Sequence, residues 1–141
     1  MKHIFEGLRT LTIGTHGIAH LVGIIRAWEH LYGAFPSLTE TLTIIVHDWG
    51  YLVTGLTGPQ EDQHPALGAS IASLWGQKTL AAGHSKGYAG GVEKTSRLYL
   101  PDKVWMAFVP EWVFVLTSFV DFGDSREESR VWIDQANAKL Q

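Results

Sequence analysis

Apolar residues recur at three- and four-residue intervals along most of this 141-residue chain, and few segments alternate with a period of two. That spacing lines one face of a helix with hydrophobic side chains, whereas on a strand it would scatter them over both faces, so the pattern demands an all-α core. From Gly17 the stripe runs through Ile18, Leu21, Val22, Ile25, Trp28 and Tyr32, widened by Ile24 and Leu31. Gly33 stops this helix and Pro36 follows just beyond it. Ser37 and Glu40 have the spacing of a capping box, which opens a helix predicted to continue through Leu42, Ile45 and Val46 to about Tyr51. Residues 53–63 carry two glycines and a proline and read as a loop. Further helices are predicted from His64-Pro65 to Gly76, over about 77–85, around Lys103 to Phe108 with Pro101 near the start, over Glu111 to Phe122 after Pro110, and from Asp124 or Ser125 to about residue 140. A glycine-rich turn through Gly87, Gly90 and Gly91 separates the middle ones. The expected architecture is a single domain over residues 1–141, an all-α bundle of six or seven helices.

Composition removes several function classes. There is no cysteine, which excludes disulfides, thiolate metal clusters and cysteine nucleophiles. Net charge is −3 and no basic run appears, so stable nucleic-acid binding is not expected. The longest apolar stretch, from Trp112 towards Val120, is interrupted by Thr117 and Ser118 and is too short for a membrane span. The N-terminus lacks a signal-peptide core, and the cytoplasm is the expected compartment. The six tryptophans fall mostly on helical stripes and read as core, with Trp49 the one placed at a pocket wall. The segment Val104 to Phe122 is more apolar than a surface helix pair needs; it either closes the core or forms a homodimer face.

The chemistry concentrates in seven histidines and a few carboxylates. His47-Asp48 ends an apolar run, where a carboxylate costs several kcal/mol unless it is paired or bound to a metal. Taken alone, the dipeptide is more often a buried histidine–aspartate hydrogen bond or a chance pairing than a metal site. His20, His64, His84 and Asp102 lie on successive segments to either side, and together these six are the ligand types that suit Fe, Mn, Co or Zn.

This order of a histidine, then His47-Asp48, then His64 and His84, then a distant Asp102 resembles the HD superfamily of metal-dependent phosphohydrolases. The resemblance covers about residues 15–120 and rests on Arg26-Ala27-Trp28, Leu31-Tyr32-Gly33, His47-Asp48-Trp49-Gly50-Tyr51, His64-Pro65-Ala66-Leu67-Gly68-Ala69, His84-Ser85, Ser96-Arg97-Leu98 and Pro101-Asp102-Lys103. These segments are similar to a small stand-alone bacterial and phage branch. The resemblance implies an HD-type helical bundle holding two divalent transition-metal ions. His20, His47, Asp48 and Asp102 would bind the first, and Asp48, His64 and His84 the second. His16, four residues before His20 on the same helical face, is the alternative first ligand; otherwise it faces substrate.

By the same resemblance the substrate is a small soluble phosphate compound, a nucleotide above all, attacked by a metal-bound hydroxide. Many binuclear relatives carry a lysine where this chain has Tyr51, so positive charge for the phosphate must come from Lys86, Lys103 or Arg97. Asp48, Lys86 and Lys103 are the expected catalytic residues, and Lys86, Arg97, Tyr51 and His16 the expected substrate contacts. Arg97 is equally suited to a surface ion pair. The same ligands hold a di-iron pair in relatives that cleave C–C or C–P bonds with dioxygen, which makes an oxygenase the alternative enzyme. A binding module that keeps metal only for structure is the non-enzymatic alternative.

Overall fold

A computed structural model of the chain describes residues 2–56, 63–85 and 95–141, and all regular secondary structure among them is helical. The helices are α1 (Lys2–Thr12), α2 (Ile18–Tyr32), α3 (Leu38–Val46), α4 (Tyr51–Thr54), α5 (Pro65–Ala72), α6 (Lys78–Ala82), α7 (Tyr99–Val104), α8 (Glu111–Phe122) and α9 (Arg126–Ala138), with 3-10 turns at Ser73–Trp75 and Trp105–Phe108. No single helix among the described residues is long and apolar enough to cross a membrane. The chain divides into two compact units: residues 1–8 with 36–100, and residues 9–35 with 101–141.

Caps set most boundaries. Gly33, at φ 69°, closes α2 in the left-handed conformation that favours glycine. Ser37 accepts the Glu40 backbone N–H while the Glu40 carboxylate accepts the Ser37 N–H, forming the expected box at α3. Ser125 and Glu128 repeat the device at α9. Pro65 opens α5 at a position where its missing N–H costs nothing.

In the first unit, Val46, Ala69, Ala72, Ala81 and Ala82 form a core of small side chains, with Ile71 and Trp75 packed against it. The alanines let α3, α5 and α6 approach closely, and the Trp75 indole N–H donates to Thr43 Oγ1 at 2.9 Å. In the second unit, α2 buries His20, Gly23, Ile24, Ala27 and Trp28. Gly23 allows backbone contact with the Trp105 turn, since a Cβ there would lie 2.7 Å from the Trp105 carbonyl oxygen.

Three sequence expectations need correction. The helix from Ser37 ends at Val46 rather than near Tyr51. Residues 47–50 form tight turns, with the Trp49 N–H on the Val46 carbonyl at 3.1 Å and the Tyr51 N–H on Asp48 at 3.0 Å. Close packing against α5 and its start imposes the change: a Cβ at Gly68 would sit 2.3 Å from the His47 carbonyl, and one at Gly50 would overlap the His64 carbonyl. Residues 103–108 likewise divide between the end of α7 and a 3-10 turn. Finally, Trp28 and Trp105 are core, but Trp112 and Trp132 are more than half exposed. No apolar stripe announces helix α1: it buries Gly7 and Thr10 and exposes Ile4, Phe5 and Leu8, so its apolar residues do not mark its buried side.

Candidate metal centre

All six residues singled out as ligands are buried: His20, His47, Asp48, His64, His84 and Asp102. Of the other histidines whose side chains are described, His16 is half-buried and His30 exposed. Burying charged or strongly polar groups is costly without partners that satisfy them, so the internal contacts of each unit decide what these residues can do.

In the first unit three imidazoles surround one carboxylate. His47 Nε2 lies 3.1 Å from Asp48 Oδ2, while His84 and His64 place Nε2 at 3.2 and 3.6 Å from Asp48 Oδ1. The Nε2 atoms of His64 and His84 are 3.0 Å apart. Asp48, His64 and His84 offer ligand atoms that all fall within 4.8 Å of one another. Local structure aims the rings. His47 caps α3 and donates from Nδ1 to the Ile44 carbonyl at 2.6 Å, and His84, just past α6, donates from Nδ1 to the Ala81 carbonyl. Tyr51 stacks flat on His64, with ring centroids 4.2 Å apart and planes 10° from parallel.

The two carbonyl bonds fix the chemistry of the rings. A carbonyl only accepts, so Nδ1 of His47 and of His84 carries a proton, and whenever the ring is neutral its Nε2 presents a lone pair. A lone pair facing a carboxylate oxygen at about hydrogen-bond distance is repulsive unless a proton or a cation lies between them. Donation from the far nitrogen to a backbone carbonyl is also the usual support of a metal-ligating histidine. The donor set of imidazole nitrogen and carboxylate oxygen fits a borderline divalent transition ion.

In the second unit His20 Nε2 stands 3.2 Å from Asp102 Oδ1, and Lys103 Nζ donates to Asp102 Oδ2 at 2.7 Å. The His20 ring meets the Trp105 edge at 5.0 Å. Of the two histidines on this face, His20 faces Asp102, and His16 lies beside it with ring centroids 5.2 Å apart. A cavity of about 240 Å³ opens onto the pair, lined by His16, His20, Asp102, Lys103, Trp105, Phe122, Trp132 and Lys139 among others. A larger hollow of about 670 Å³ between α8 and the start of α9 is walled by Trp112, Leu116, Phe119 and Arg126 and holds none of the six ligand candidates.

The remaining expected contacts scatter. Arg97 is exposed and makes a 3.4 Å ion pair with Glu40. Lys86 lies outside the described residues, as does the glycine-rich turn. Trp132, read from sequence as core, instead forms a wall of the smaller cavity. Compared with known proteins, the chain matches no protein-family model, no curated protein and no solved structure. What the fold and site carry together is an all-α protein with buried His/Asp groups able to hold metal ions.

Proposed function

We propose that the chain is an HD-type metal-dependent phosphohydrolase and that six residues would hold two divalent ions: His20, His47, Asp48 and Asp102 one, and Asp48, His64 and His84 the other. The observation that carries this reading is the orientation of His47 and His84, whose Nδ1 atoms are tied to the Ile44 and Ala81 carbonyls while their Nε2 atoms face Asp48. Bound there, such ions supply an activated water and neutralise charge on a phosphate.

The chain's own residues do the rest. Asp48 would be the ligand common to both ions; within its own unit its Oδ2 lies 3.1 Å from His47 Nε2 and its Oδ1 3.2 Å from His84 Nε2. Lys103 steadies Asp102 from one side and lines the cavity from which substrate enters, so its charge serves both the ligand and a substrate oxygen. Tyr51, stacked on His64, orients that ring and takes the place of the lysine found in many relatives. Lys86 is assigned to the substrate phosphate from its place two residues after His84. The substrate is a small phosphate ester or anhydride, with a nucleotide the leading class, and the site of action is the cytoplasm.

The test is a phosphatase screen over a nucleotide and sugar-phosphate panel with Mn²⁺, Fe²⁺, Co²⁺ or Zn²⁺ added to chelator-free protein. Release of inorganic phosphate that Asp48→Ala abolishes supports the proposal. Metal-loaded protein that is inactive on the whole panel yet contains iron and consumes dioxygen would replace it with the oxygenase.

A further inference from the structure

The side chain of Asp121, at the end of α8, is buried and collects three donors on one oxygen. The Thr10 hydroxyl, the Thr15 hydroxyl and the Thr15 backbone N–H reach Oδ2 at 2.6, 2.7 and 2.7 Å, and the Arg9 guanidinium stands 3.6 Å from Oδ1. The approach is so close that a Cβ on Gly14 would overlap the carboxylate. Behind this carboxylate the same two hydroxyl oxygens lie 3.2 and 3.1 Å from His16 Nδ1. His16 in turn lines the cavity that also exposes His20, Asp102 and Lys103.

We propose that Asp121 is a positioning residue for His16, which lines this cavity: acting through Thr10 and Thr15, it locks the ring in the Nδ1–H tautomer, which puts the lone pair of the neutral ring on Nε2. An ionised carboxylate only accepts, and each threonine hydroxyl has a single proton, which goes to Asp121. Both threonine oxygens therefore face His16 with lone pairs, and the ring can meet them only as a donor. Its Nδ1–H is shared between the two, and the remaining lone pair belongs to Nε2.

The experiment is long-range ¹H–¹⁵N correlation spectroscopy of histidine-labelled protein, metal-free or zinc-loaded, at about pH 8.5, where an ordinary imidazole is neutral. A His16→Gln spectrum assigns the resonances. In the wild type, Nδ1 should fall in the protonated range and Nε2 in the bare range. In Asp121→Asn the new amide group can donate to the threonine oxygens and turn their protons towards His16, so the Nε2–H form should rise to a major fraction. Thr10→Val/Thr15→Val keeps the carboxylate and should also lose the single-tautomer signature, which covers the case that Asp121→Asn does not fold. A wild-type His16 protonated on Nε2, or folded variants that retain the pure Nδ1–H form, would overturn the proposal. No substrate is needed for the readout, so it stands or falls separately from the phosphatase screen.

Discussion

Replacing Asp48 by alanine removes the oxygens that His47, His64 and His84 all face. The variant should lose both ions and all activity, whereas His64→Ala or His84→Ala should lose one ion and keep the other, measured by elemental analysis of the purified proteins. Lys103→Ala should retain its metal but lower kcat/KM about 10- to 100-fold, because a donor to a developing phosphate charge is worth about 1.4–3 kcal/mol. An unaltered kcat/KM would reduce Lys103 to a surface partner of Asp102. At this scale much was legible. Burial separates His20, His47, His64 and His84 from the half-buried His16 and the exposed His30, and a histidine and aspartate embedded in apolar stretches have few outcomes besides pairing or metal. The choice of His20 over His16 was not settled by spacing, because residues four apart share one helical face and only tertiary packing tells which ring meets Asp102. Asp121 gave no signal at all: it reads as one more carboxylate near a helix end, and its partners lie more than 100 residues away in sequence.

At the scale of elements, α3 aims the centre, and its capping box is the accessible handle. Burial pushes the Glu40 carboxyl upward, but the Ser37 hydroxyl and N–H, with the Arg97 charge, outweigh it and hold the group below the ordinary carboxylate value. Such a group stabilises the fold above the ordinary carboxylate range, and this contribution fades as pH falls through its lowered value. Ser37→Ala should therefore cost about 1 kcal/mol at pH 7, with the gap to wild type narrowing below about pH 4, as read by urea unfolding across pH. Gly50→Ala should be far worse than an ordinary glycine substitution. Its Cβ would overlap the His64 carbonyl, so both stability and binding of the second ion should suffer. Capped and proline-bounded helices such as α2, α5, α8 and α9 were readable because their ends are written in local residues. The break after Val46 was not, since Ile44, Ile45 and Val46 favour continuation and the turn is imposed by α5 packing against it. Helix α1 escaped notice because it meets its surroundings through glycine and threonine rather than through an apolar stripe.

For the whole molecule, an ion held by the proposed ligands would link metal binding to folding. Buried imidazoles gathered on a carboxylate destabilise the metal-free state, and an ion that binds only the folded chain stabilises it by about 2.7 kcal/mol per site at a hundredfold excess over Kd. Saturating the protein with its ion should raise Tm by roughly 5–15 °C, and a chelator should reverse the gain. Addition of divalent ions with no effect on Tm would argue that protonated histidines, not metal, balance Asp48. The most direct measurement is the number of ions per chain in protein purified without chelator and then saturated with Mn²⁺, Fe²⁺, Co²⁺ or Zn²⁺. The account predicts two ions in the wild type, one in His84→Ala and none in Asp48→Ala. A wild type that binds one ion or none at saturation would contradict it.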